Sequence, residues 1–109
     1  MSPSDSVTHT SRLVKWTPAE GKGSWHFFTI DGLAGEAIAA HEAIRRMELG
    51  SGRGFGSVKV TARIGTSEWN TSVFPSKERG GYLLPVKAAI RKVQELAEGS
   101  VAEVELDLL

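Results

Sequence analysis

The residues of this chain best suited to chemistry are cations. Arg45-Arg46 and Arg91-Lys92 form two basic pairs about half a chain apart, and Lys87 precedes Arg91 by four residues, so on a helix those two share a side. Fixed positive charge of this kind holds phosphates, carboxylates or an acidic partner. The simpler reading is the polar side of two surface helices, balanced by Glu42, Glu48, Glu95 and Glu98. Lys+Arg and Asp+Glu are equal at 13 each, so no overall field gathers nucleic acid. Nucleic-acid binding through Arg45, Arg46, Arg91 and Lys92 is therefore a disfavoured alternative. The three tryptophans offer a pocket wall. Trp69 with Arg53, Thr71, Ser72, Lys87 and Arg91 at the rim is the candidate ligand-binding set.

Other groupings do not rise to a reaction. Gly50-Ser51-Gly52-Arg53-Gly54-Phe55-Gly56 invites comparison with a phosphate loop. Such loops run from a strand into a helix N-terminus and carry Gly-Lys-Ser/Thr; this one leaves a helix, enters a strand and lacks that triplet. His9, His26 and His41 have no ligand partner at helical spacing, so no metal site is expected. No nucleophile–base grouping or paired carboxylates stand out, so no catalytic residue and no cofactor are expected. Glu103, Glu105 and Asp107 alternate as a solvated strand face does. The absence of cysteine removes disulfides and thiolate chemistry.

At 109 residues, 40% hydrophobic and 24% charged, the chain suits one domain with a single core. No apolar run approaches the ~20 residues of a membrane-spanning helix, and Met1 to Thr10 lacks the pattern of a signal peptide, so a cytoplasmic protein is expected. Residues 1–10 read as a disordered tail and 11–109 as one domain. Strands are expected over Arg12 to Trp16, Ser24 to Ile30, Phe55 to Ile64, Trp69 to Phe74, Gly81 to Leu84 and Val101 to Leu108. Asp31 is placed to cap a helix whose inner face is Ala34, Ala37, Ile38, His41, Ile44 and Met47. A second helix starts at Pro85, buries Val86, Ala89, Ile90 and Val93, and stops at Gly99.

The halves echo each other. Ala43-Ile44-Arg45-Arg46 parallels Ala89-Ile90-Arg91-Lys92, Gly56-Ser57-Val58 parallels Gly99-Ser100-Val101, and Trp25 parallels Trp69. This predicts an internal pseudo-twofold repeat closing a barrel from one chain.

Trp25-His26-Phe27-Phe28-Thr29, Gly54-Phe55-Gly56-Ser57-Val58, Trp69-Asn70-Thr71-Ser72-Val73-Phe74-Pro75 and Leu84-Pro85-Val86-Lys87 together resemble the bacterial domain of unknown function numbered 1905, over roughly Arg12 to Leu108. The resemblance implies a mainly β fold with two helices, a small double-split β-barrel of about six strands capped by those helices. Similar domains are found beside a YdeI/OmpD-associated domain. Pro85 to Leu106 also resembles the swapped-hairpin half of AbrB-type DNA-binding proteins, which build the barrel from two chains. Ser100 stands where the family usually carries Asp. The family brings no activity with it.

The expectation is a non-enzymatic, monomeric binding module for a small anionic ligand or a protein partner. An AbrB-like nucleic-acid regulator and an unrecognised enzyme are the alternatives.

Overall fold

The computed structural model describes residues 6–19, 21, 23–49 and 56–109. Seven strands and two helices follow in the order β1 (Ser6–Arg12), β2 (Val14–Trp16), β3 (Trp25–Ile30), α1 (Gly32–Leu49), β4 (Val58–Ile64), β5 (Ser67–Ser76), β6 (Gly81–Pro85), α2 (Ala88–Val93) and β7 (Val101–Leu108). Every strand pairing is antiparallel, in the sheet order β1-β7-β4-β5-β6-β3-β2.

Two strand runs turn corners and curl this sheet into a half-barrel. Leu13 alone separates β1, which pairs with β7, from β2, which pairs with β3. Leu13 is fully buried, and its backbone leaves the β3 side to exchange bonds with Ser100 and Gly99. Likewise β5 pairs with β4 up to Val73 and with β6 from Phe74 onward. The count is thus seven strands rather than about six, because the first run is divided at Leu13. That run also starts earlier than the sequence suggests. Ser6 to Thr10, read above as tail, lie in register with Asp107 to Glu103. Their polar alternation hid a strand whose edge is completed by β7, and His9 Nε2 there lies 3.0 Å from Asp31 Oδ1.

Alternation elsewhere reads directly into packing. Val58, Val60, Ala62 and Ile64 of β4 are buried, as are Val104, Leu106 and Leu108 of β7. Phe28, Ile30 and Leu84 are completely buried beneath them, while neighbouring Phe27 packs on the opposite face under the Arg79 guanidinium, 5.1 Å from its ring centroid. Arg63 ties β4 to β7 through Glu105 (2.9 Å) and Asp107 (2.8 Å). The hydrogen bond from Arg63 holds the Asp107 carboxyl below its ordinary range. Two of the carboxylates read as merely solvated therefore clamp a strand pair.

The helices depart most from expectation. Among the residues of α1 whose burial is described, only Gly35 and Ile38 are buried; Ala37 is exposed, and Ile44 and Met47 are 56% and 79% exposed. The first turn of α1 lies so close to β3 that a Cβ on Gly35 would sit 2.8 Å from the Ile30 carbonyl oxygen. Ile90, its proposed counterpart of Ile44, is 8% exposed, so those two positions are not equivalent. Trp25 and Trp69 also differ, one exposed on β3 and the other buried on β5.

α2 is shorter than the apolar spacing predicts. Pro85 ends β6 opposite Phe27 and does not open the helix, and Val93 is exposed. The helix stops because Gln94 is drawn under the β4–β5 turn, donating to Ser67 Oγ (2.9 Å) and Thr66 Oγ1 (3.3 Å). Glu95 then takes the left-handed conformation at φ 55. Glu95 N–H donates to the Lys92 carbonyl and Leu96 N–H to the Arg91 carbonyl, the bond pair of a glycine-type helix stop. Since a Cβ is disfavoured there, Glu95→Gly should raise stability by about 0.5–1 kcal/mol; a denaturant melt with an unchanged or lower midpoint would contradict this. Beyond it, Ser100 Oγ accepts from Ala97 N–H at 2.9 Å, so the serine makes a turn bond of its own.

Candidate functional site

The start of β3, the first part of β5 and the link from β6 to α2 meet at an open groove of about 280 Å³. Its framework is backbone. Pro85 has no N–H to continue the β3–β6 ladder, but the next residue does, and Val86 N–H donates to the His26 carbonyl at 2.9 Å. The Val86 carbonyl in turn accepts from Arg91 Nε at 3.1 Å. One buried residue thereby fixes both the floor strand and the guanidinium above it. Lys87, extended at φ −71 and ψ 160, precedes α2, and its carbonyl accepts from Ile90 and Arg91 N–H. Lys87 and Arg91 therefore emerge from the same end of the link, four residues apart.

Trp69 forms a buried wall and Trp25 a 57% exposed one, with Ser24 and His26 between strand and link. Among the described residues no Asp or Glu lines the groove, and neither Lys87 nor Arg91 has an ion-pair partner. His26 Nδ1 is the one buried side-chain polar atom without a hydrogen bond among them. Burying a lone pair there costs less than burying an N–H, so the neutral ring keeps its proton on Nε2. Burial lowers the His26 pKa below its ordinary 6.5, helped by the positive charges of Arg91 and Lys15 and opposed by Glu98. At neutral pH the groove thus presents two full cations and a neutral imidazole donor.

A sequence profile for a domain of unknown function, DUF1905, matches residues 10–106. The chain belongs to the DUF1905 family. No curated protein matches it. Among the described residues no helix is long and apolar enough to cross a membrane, and no cluster of three or more His, Asp or Glu is placed to hold a metal.

This DUF1905 domain brings together three of the six residues singled out in the sequence: Trp69, Lys87 and Arg91 line the groove. Thr71 and Ser72 do not; they lie farther along β5, opposite Val60 and Lys59. Arg53 lies outside the described residues. Of the proposed nucleic-acid set, Arg46 is bonded to Glu42 Oε1 at 2.8 Å on α1, while Arg91 belongs to the groove. Sequence reasoning missed Ser24 and His26 as groove residues, and offered Trp25 only as one of three tryptophans for a pocket wall. The only signal for them was the quoted Trp25-His26-Phe27 block, and placing it beside Val86 needs the β3–β6 register, which sequence does not carry.

The depressed His26 pKa has a consequence for stability. Folding favours the neutral ring, so its contribution is complete above the unfolded value of 6.5 and is lost as pH falls through the lower folded value. The parent chain should therefore lose stability between pH 8 and pH 5, and His26→Gln should flatten that loss. Identical pH profiles by denaturant melts would show that His26 is not perturbed as described.

Proposed function

We propose that this DUF1905 domain is a non-catalytic binding module whose groove takes a small anion. One observation carries the reading: among the described residues the lining supplies two cations without ion-pair partners and neutral donors, and no carboxylate. Lys87 is exposed and Arg91 half-buried, so both charges stand within reach of a ligand entering the open, Trp-walled groove. A neutral or cationic ligand finds no complementary acceptor side chain there apart from the Ser24 hydroxyl. The test is a thermal-shift panel of small anions at low salt, where stabilisation that fades as salt rises supports the reading. No shift from any anion counts against it.

The nucleic-acid alternative gains no support. Arg46 is engaged with Glu42, the net charge is zero, and the basic pairs sit on helices of unlike burial.

We also read the half-barrel as a double-split barrel made of two related halves, each a long cornered strand, a strand, a helix and a strand. The strand pairings support this: β1 with β7 matches β5 with β4, and β2 with β3 matches β5 with β6. Buried Leu13 and Val73 stand at corresponding corners, and buried Ile38 replaces Ile44 as the counterpart of Ile90. AbrB-type proteins, with two chains in place of two halves, are the natural comparison.

A further inference from the structure

We propose that the groove's ligand is a phosphate monoester carried on a single flat ring. This rests on the anion-binding reading above and specifies it. The first argument is charge. Lys87 and Arg91 bring two positive charges to a lining with no acidic side chain among the described residues. A carboxylate neutralises one of them, whereas a phosphate monoester carries about −1.5 to −2 at neutral pH and answers both.

The second argument is donor geometry. Arg91 Nε is taken by the Val86 carbonyl, so the guanidinium keeps its two terminal nitrogens, a fork suited to two oxygens of one group. Lys87, with its three freely rotating N–H donors, and the His26 Nε2–H or Ser24 hydroxyl remain for the other oxygens. Three acceptor oxygens use this set more fully than two.

The third argument concerns the body of the ligand. Trp69 is a buried wall, and Trp25 leaves more than half its surface uncovered at the same groove. Trp16 lies directly across from Trp25 in the β2–β3 pair and is also exposed. Indole surface beside a phosphate site is suited to stacking a flat ring. A volume of about 280 Å³ falls just below the range of drug-sized pockets, which favours one ring over an extended ligand.

The experiment titrates the full chain with phenyl phosphate, inorganic phosphate and benzoate, following tryptophan fluorescence and heat. Phenyl phosphate should bind roughly threefold to tenfold tighter than inorganic phosphate, through ring stacking. It should bind at least about tenfold tighter than benzoate, through the second charge-assisted contact. Trp25→Ala, at an exposed position, should erase the preference for phenyl phosphate over inorganic phosphate while phosphate still binds. Lys87→Ala should weaken phenyl phosphate more than benzoate. Equal affinity for phenyl and inorganic phosphate overturns the ring, and benzoate binding as tightly overturns the phosphate; in both cases anion binding itself stands. If a folded chain binds none of the three, anion binding falls and this proposal with it.

Discussion

Arg91→Glu should abolish the anion binding proposed for the groove. The substitution removes a charge-assisted contact worth about 1.5–3 kcal/mol and puts a like charge where the ligand's oxygens belong. Together these predict an affinity loss on the order of a hundredfold or more. The Nε bond to the Val86 carbonyl is lost as well, so part of the effect could arise from a displaced link. Arg91→Gln separates the two causes: it removes the charge without reversing it, and should lose about tenfold to thirtyfold. Arg45→Glu is the control, because Arg45 lies on α1 outside the groove. Calorimetric titration with inorganic phosphate at low salt reads all three. Unchanged affinity in Arg91→Glu, or an equal loss in Arg45→Glu, would contradict the placement of the site.

Phe28→Ala should be the most damaging substitution for stability. Phe28 has no solvent exposure, faces Leu84 across the β3–β6 pair, and is the largest fully buried side chain among the described residues. Deleting its ring leaves a cavity between strands that cannot close without breaking register, for a cost of about 3–5 kcal/mol. Against a total of about 5–15 kcal/mol for a domain of this size, that is a large fraction. At about 4–8 °C per kcal/mol the melting temperature should fall by at least about 12 °C. Phe74→Ala, at a position 41% exposed, should cost far less. A Phe28→Ala melt within a few degrees of the parent would mean that this strand pair is not the centre of the core.

What the sequence revealed depended on whether the information was local. β4 and β7 were legible because strict alternation puts Val60, Ala62, Val104 and Leu106 on one face, and burial there follows from period two alone. The family was legible from short blocks in combination. β1 was not, since Ser6 to Thr10 is polar and becomes a strand only because β7 lies beside it. α2 misled for a similar reason: its apolar spacing continues past Val93, but the Gln94 bonds to the β4–β5 turn end the helix first. On α1 the apolar residues outnumber those that pack, and nothing local distinguishes buried Ile38 from exposed Ile44. At the groove, Lys87 and Arg91 could be paired by helical spacing, but His26 joins them only through the Val86 N–H bond to its carbonyl. Thr71 and Ser72 were chosen for chemistry alone, and β5 carries them away from the groove.

The most direct test is where an anion lands. Nuclear magnetic resonance spectra of the isotope-labelled chain, titrated with inorganic phosphate at low salt, follow the Trp69 indole, the His26 ring and the Val86 and Lys87 amides at once. The account predicts saturable shifts at these four positions with a common affinity, and none at Arg45, Arg46 or Arg63. Shifts confined to the α1 arginines, or no saturable shift at the groove, would contradict it.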